Sequence, residues 1–419
     1  MRKTFLNLFT ISILAGTSVL CGSADAQVKI LFDATKGEMA GNADWVIDYD
    51  VANVGVGSTG AYTAGSASKS NPQRIPTPAQ SGITASTPGT YWSGGLSSWG
   101  VDCAKKGYIV ESLPWNGQIT YGSTSNAQDL SNYKVFVIDE PNLKFSAAEK
   151  TAIMQFVRNG GGLFMVADHN ISDRNGDGWD SPHIWNDFLS NNSVQNYPFG
   201  IYFDTVDFSQ TTTNISAAST DSIIHGPMGN VTKAQWAGGT TMTLNPSLNS
   251  TVKGVIFKTG TTPGNTNAMV AYSRYGSGKV AAMGDSSPTD DGTGNPSCTL
   301  YDGYIADASG NHQLLIMNIT IWLADTVVNT HVGVEQVAAS VPEVVVAPNP
   351  AKGSFSLAAS GTVNNAVITV TNISGVVVAQ KSVRELNKDE HITFNVEPGF
   401  YMVKTEGENV NQTLKVVVY

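Results

Sequence analysis

Short apolar runs alternate with amphipathic stretches through the first part of this chain, and that alternation constrains its fold more than any other feature. Val28-Lys29-Ile30-Leu31-Phe32, Gly107-Tyr108-Ile109-Val110-Glu111, Val135-Phe136-Val137-Ile138 and Gly162-Leu163-Phe164-Met165-Val166-Ala167 read as strands. Between them, Leu96 to Lys106 and the segment from Ser146 to Arg158 read as helices. The second helix opens on a capping box, Ser146 with Glu149, and stops at Asn159-Gly160. Strands that are apolar on both faces and separated by helices build a parallel sheet covered on both sides. The expected core is therefore a doubly wound, mostly parallel α/β domain, completed by the late strand Gly278-Lys279-Val280-Ala281-Ala282-Met283 and a helix from His312 to Ala324.

The two ends differ from this core. Arg2 and Lys3 precede an apolar run from Phe5 to Leu20, and Ala24-Asp25-Ala26 supplies small residues for a signal peptidase, so residues 1–26 are expected to be a signal peptide. The run is too short for a membrane span, which leaves the mature chain without a transmembrane segment. Residues 27–332 form the expected α/β domain, with a Gly/Ser/Thr-rich insertion at 51–90 that is expected to be functional or mobile. A Val/Ala/Pro linker at 333–345 leads to an all-β module at 346–419. Charged residues make up 14% of the chain and the formal charge is -10, with no basic run, which excludes nucleic-acid backbones as partners. Cleavage after Ala26 leaves Cys103 and Cys298, whose pairing the sequence leaves open.

Ligands of open α/β sheets bind outside the carboxyl ends of the strands. Reading those ends gives Asp33, Asp139 with Glu140, Asp168 with His169, and Asp285 with Ser286. Any one of these aspartates is explained as a turn or helix cap; four in succession mark a candidate site. Asp168, His169, Asp285, Ser286 and His312 are the candidate catalytic residues, because a serine, a histidine and a carboxylate are the minimum for nucleophilic hydrolysis. Asp33, Glu140 and Trp179 are candidates for substrate binding. Mixed carboxylate and imidazole donors also suit a catalytic transition metal such as Zn, Mn or Fe, here through Asp168, His169, Asp285 and His312.

Downstream, Asp173-Arg174-Asn175-Gly176-Asp177-Gly178-Trp179-Asp180 places oxygen side chains at alternate positions before a glycine. Asp173, Asn175, Asp177 and Asp180 fit a structural calcium loop, although Ile184 stands where an EF-hand has its closing glutamate; a plain Asn/Gly turn is the other reading. Trp45, Tyr91, Trp92, Trp99, Trp115, Tyr121, Trp179, Trp185, Tyr301 and Tyr304 fall mostly in expected loops or helix starts and are candidates for stacking on sugar rings, or for packing.

Two resemblances add to this. Pro348-Asn349-Pro350, Gly353, Phe355, Gly375, Gly399, Tyr401 and Lys415 follow one another as in the C-terminal sorting domain of the Bacteroidetes type IX secretion system, and the likeness covers the whole β module. It implies the type IX machinery as a partner and a mature protein that is secreted or held on the cell surface. Asn159-Gly160-Gly161-Gly162-Leu163, His225-Gly226-Pro227 and Gly278-Lys279-Val280 together resemble the class I glutamine amidotransferase-like, flavodoxin-like superfamily. An active amidotransferase would carry Gly-x-Cys-x-Gly where this chain has Ala167-Asp168-His169, so the likeness is to branches without the nucleophile. Gly284-Asp285-Ser286-Ser287 is similar to the Gly-Asp-Ser of secreted esterases, displaced to a late strand. The functional expectation is a secreted hydrolase acting on an extracellular polymer or ester; the alternative is a non-catalytic protein that binds a glycan or peptide.

Overall fold

Successive side chains of a strand point to opposite faces, and in β1 (Lys29–Asp33), β2 (Ile109–Leu113), β3 (Val135–Asp139) and β4 (Gly162–Val166) both faces are buried. The computed structural model describes residues 27–40, 43–49, 54–56, 62–64, 72–293, 303–305, 310–325, 344–388, 391–408 and 410–419. The expected signal peptide, Cys298 and most of the linker lie outside them. The chain divides into two compact units, Met1–Val327 and Val328–Tyr419.

Among the described residues the first unit centres on one nine-stranded sheet. It also contains β5 (Ile201–Phe203), β6 (Met242–Leu244), β7 (Lys253–Phe257), β8 (Ala268–Tyr275) and β9 (Gly278–Met283), in the order β2-β1-β3-β4-β9-β8-β6-β5, with β7 also paired to β8. The five strands from β2 to β9 are parallel. The remainder form an antiparallel wing of the same sheet.

Among the described residues four α-helices cover it: α1 (Ser97–Lys105), α2 (Ala147–Arg158), α3 (Ser181–Ser190) and α4 (His312–Ala324). Ile30, Phe32, Val137 and Phe164 join Trp99 of α1 and Leu315 and Met317 of α4 in one core. Leu31, Phe136, Leu163 and Met165 join Phe156 of α2 and Trp185 of α3 in the other. The alternation read in the sequence thus resolves into a doubly wound sheet with apolar layers on both faces. The capping box is formed, with Ser146 N–H donating to Glu149 Oε2 at 2.7 Å and Glu149 N–H to Ser146 Oγ at 3.3 Å.

The buried helix α4 is apolar around its circumference and carries Asn318 inside. That amide donates to the carbonyls of Ile223 and Gly229, each at 3.0 Å, and accepts from Met228 N–H at 2.9 Å. The His225-Gly226-Pro227 segment therefore roofs this helix. The second half of the 51–90 insertion is likewise structural rather than loose. Edge strand β2 donates Ser112 N–H to Arg74 O at 2.9 Å and Val110 N–H to Gln80 Oε1 at 3.0 Å, so the segment blocks an otherwise open sheet edge.

Among its described residues the second unit has seven strands: β10 (Val344–Ala347), β11 (Ser354–Ala359), β12 (Val363–Asn372), β13 (Val377–Leu386), β14 (Ile392–Asn395), β15 (Gly399–Gly407) and β16 (Val410–Val418). They form antiparallel sheets β10-β11-β14 and β13-β12-β15-β16, which share a core of Phe355, Leu357, Ile368, Tyr401 and Val416. Among the described residues no helix is long and apolar enough to cross a membrane.

Candidate functional site

Strands β1, β3, β4 and β9 are consecutive neighbours in the parallel half of the sheet, so Asp33, Asp139 with Glu140, Asp168 and Asp285 stand along one edge. Strand order reverses between β1 and β3, which puts Asp33 and Glu140 at the switch point where α/β sheets open a crevice. What these groups do there differs from the expectation.

Glu140 is fully buried and is the hub. Its Oε2 accepts from the Trp45 indole N–H at 2.8 Å and from the Ser286 hydroxyl at 2.6 Å, and its Oε1 accepts from Arg174 Nε at 2.9 Å. Arg174 also donates through Nη2 to Asp168 Oδ2. One guanidinium therefore clamps two buried carboxylates, and the hub ties together the loops carrying Trp45, Arg174 and Ser286. Its own backbone is left-handed, at φ 46°, a conformation that L-residues adopt at a cost and that the three bonds hold in place.

The neighbouring acids are buried beyond the reach of one cation. Asp285 accepts from Ala237 N–H at 2.5 Å and Ser287 N–H at 2.8 Å, bonds that favour its charged form. Burial outweighs them and pushes its pKa up to about 7, with the charge of Glu140 adding to the rise. Burial, then the charges of Glu140 and Asp285, hold Asp168 well above the usual carboxylate range against the pull of Arg174. Asp139 is also pushed well up by burial, and neither of its oxygens is hydrogen-bonded. Thr289 stands beside it but donates its hydroxyl to Ser286 O at 2.6 Å. Asp33 is raised as well, mainly by burial, and accepts from Thr35 N–H at 3.1 Å.

The expected serine-histidine pair is not assembled. Ser286 is 1% exposed and its proton is directed to Glu140. His312 accepts from Gln235 N–H at Nε2 (3.0 Å), which fixes the proton on Nδ1, where it is donated to Gly303 O at 2.8 Å. Both ring nitrogens thus join backbone to backbone, and neither is free to take a proton from a nucleophile. Of the catalytic candidates His169 alone has solvent access, its side chain 19% exposed. Its Nδ1 donates to Asn170 O at 2.6 Å, leaving Nε2 as the basic nitrogen, 3.6 Å from Asp168 Oδ2. Gly238 lies against this ring; at its φ of 84° only glycine is unstrained, and a Cβ there would come within 3.2 Å of His169 Cδ2.

The Asp173–Asp180 loop is closed by its own hydrogen bonds. Asp173 accepts from the N–H groups of Gly176, Asp177 and Gly178, Asn175 Oδ1 from Asp177 N–H, and Asp177 Oδ1 from Trp179 N–H. Asp180 caps α3 through His183 N–H at 3.0 Å and accepts from Ile171 N–H at 2.8 Å. Among the described residues no three His, Cys, Asp or Glu side chains stand together as a metal-holding group. Trp45, Trp92, Trp99 and Trp185 are fully buried and pack the interior instead of forming a stacking surface, half-buried Trp179 has Lys144 Nζ over its ring at 4.0 Å, and Tyr301 lies outside the described residues. Cys103 has no disulfide partner among the described residues and is buried against Met317, its thiol pushed well up by burial.

Sequence reasoning gave Arg174 no role and read Trp45 only as a stacking or packing indole, not as a donor to Glu140. Arg174 lies inside the motif read for calcium, where it was the single cation among acids; that contrast was the available signal.

In the second unit, the Asn349 side chain donates to Lys415 O at 2.7 Å and accepts from Val417 N–H at 3.0 Å, which staples the start of the unit to its last strand. Gly353 and Gly375 have φ of 70° and 78°, where glycine is favoured, and Lys415 Nζ sits over the Phe400 ring at 5.3 Å. Asn349, Gly353, Gly375 and Lys415 of the sequence pattern thus have structural tasks. Residues 345–419 match the secretion system C-terminal sorting domain. The sorting domain implies export to the medium or the cell surface, and interaction with the type IX machinery that reads it.

Solved structures similar to the chain include the N-terminal domain of mmIFT52, 12% identical over 71% of this chain and 97% of that one, with a TM-score of 0.38. A ThuA-like protein from Parabacteroides merdae is 10% identical over 71% and 90%, with a TM-score of 0.36. A cytoplasmic protein from Salmonella typhimurium LT2 is 14% identical over 71% and 97%, with a TM-score of 0.35. No curated protein matches the chain.

Proposed function

We propose that the first unit is a non-catalytic ligand-binding module on an amidotransferase-like fold, carried to the cell exterior by the sorting domain. The observation that carries this reading is the bond from Ser286 to Glu140: the residue at the sheet edge best suited to be a nucleophile is enclosed and faces a carboxylate already shared with Arg174 and Trp45. The strand order β2-β1-β3-β4-β9 and the enclosed acids at the strand ends support a retained scaffold whose reactive centre has become a set of loop ties.

One observation favours the hydrolase reading. His169 is partly exposed and keeps Nε2 unprotonated 3.6 Å from Asp168, an arrangement that would serve a water-activating acid–base pair on an extracellular polymer or ester. Chromogenic esters, glycosides, amides and phosphates, offered to the full chain and to His169→Ala, separate the two. The binding reading expects no turnover from either protein, whereas turnover by the parent that disappears in His169→Ala contradicts it.

Calcium at Asp173, Asn175, Asp177 and Asp180 would act as a stabiliser of the loop beside this edge. A calcium-dependent rise in the melting temperature, lost in Asp177→Ala, is the outcome that supports it; identical melting with calcium and with chelator ends it.

A further inference from the structure

A second site lies at the opposite edge of the sheet. Arg274 pairs in register with Lys279 near the start of β9, whereas Asp285 follows the end of that strand. There an open cavity of about 510 Å³ is lined by Asp221, Lys253, Thr251, Tyr272, Arg274 and Trp322. That volume falls in the range of small-molecule sites.

Its lining is fixed from within. The Tyr272 hydroxyl donates to Asp221 Oδ2 at 2.7 Å, and the Tyr272 ring meets Trp322 of α4 edge-on at 5.1 Å. Thr251 holds the backbone of Arg274, accepting its N–H at 2.8 Å. The Arg274 guanidinium lies 5.8 Å from the Trp322 ring centre, and Lys279 lies on that ring too, at 5.1 Å. Lys279 is occupied, donating to Trp322 O at 2.5 Å and Asp325 O at 3.2 Å.

Arg274 and Lys253 are not occupied in this way. Among the described residues neither charged group has a carboxylate partner or a side-chain hydrogen bond, and the single acid of the cavity is already engaged by Tyr272. In a chain with a formal charge of -10, exposed unpaired cations converging on one cavity are a local reversal of sign. A guanidinium braced on an aromatic ring is preorganised for a planar carboxylate, which it grips with parallel N–H donors. Around it, the Ser250 hydroxyl and an aromatic wall of Tyr272 and Trp322 provide polar and apolar surface for the remainder of a sugar ring.

We propose that this cavity binds a carboxylated saccharide, a uronic acid unit, with Arg274 and Lys253 on the carboxylate. The proposal names the ligand class of the binding module above and rests on that reading. The test is calorimetric titration of the full chain with D-galacturonate, D-galactose and sodium sulfate, repeated with Arg274→Ala, Lys253→Ala and His169→Ala.

Galacturonate should bind, galactose should bind at least about tenfold more weakly, and each cation variant should lose about tenfold, as expected for a charge-assisted hydrogen bond. The variants should melt as the parent does, because both side chains are exposed. His169→Ala should bind as the parent, since the cavity and the acidic edge are at opposite ends of the sheet. Equal affinity for galactose, sulfate binding as tightly as galacturonate, binding untouched by Arg274→Ala, or no heat from galacturonate would each overturn the proposal. Turnover lost in His169→Ala would instead sink the non-catalytic reading, so the two failures are distinguishable.

Discussion

Ser286 donates its hydroxyl proton to Glu140 Oε2 across 2.6 Å, in a position from which solvent is excluded. A serine that serves a carboxylate in this way ties one loop to another. The same carboxylate holds Trp45 and Arg174, so three loops are knotted together at this edge of the sheet.

Arg174 is the cation of that knot. Its replacement by Met would leave Glu140 and Asp168 facing each other without a counter-charge, and removal of one partner of a buried pair is strongly destabilising. Because the side chain is 24% exposed, the expected loss is about 2–4 kcal/mol at neutral pH, below the full buried-pair range. Denaturant unfolding of Arg174→Met measures it; a loss below about 1 kcal/mol would mean the pairs are solvent-screened.

Stability should fall as pH rises towards the alkaline side. Asp285 has its folded pKa raised to about 7 against roughly 3.9 for an unfolded aspartate, so its contribution is complete below about pH 4 and is lost as pH rises through 7. The raised pKa values of Asp139 and Asp168 act in the same sense. Glu111 and Asp187, whose pKa values are lowered, act in the opposite sense and weaken the fold on acidification. The melting temperature should therefore decline between about pH 5 and pH 8, and decline less in Asp285→Asn. A parent protein that gains stability steadily across that window would show that these acids are charged throughout.

The fold was legible because it rests on periodicity. Ile30 and Phe32 against Leu31, and Val137 against Phe136, divide between the faces as an alternating strand must, and Ser146 with Glu149 announces α2. The edge of carboxylates was legible from the last residue of each run. The pairing of those carboxylates was not, because it depends on Arg174 and Trp45 reaching across from distant loops, contacts that leave no local pattern. The same limit explains His312: a histidine that opens a helix reads identically whether its ring faces a substrate or, as here, joins Gly303 to Gln235.

His312→Leu keeps the apolar volume while removing both bonds. It leaves a buried N–H and a carbonyl without partners, for an expected loss of about 2–4 kcal/mol in thermal or denaturant unfolding. Stability unchanged from the parent would return His312 to the list of functional candidates.

Ile171 is a β-branched residue at φ 66° and is 75% exposed, with only its N–H anchored, to Asp180. Ile171→Gly should raise stability by about 1 kcal/mol, since the left-handed conformation costs an L-residue that much or more and little packing is lost. Destabilisation would mean that the side chain is held by something other than this chain.

The most direct test of the knot is amide hydrogen exchange on the parent and on Glu140→Gln. The account predicts faster exchange, together, in the three loops that carry Trp45, Arg174 and Ser286, with strands β3 and β4 still protected. Unchanged exchange in all three loops would contradict it, and would mean that Glu140 is kept at the sheet edge for something other than holding them.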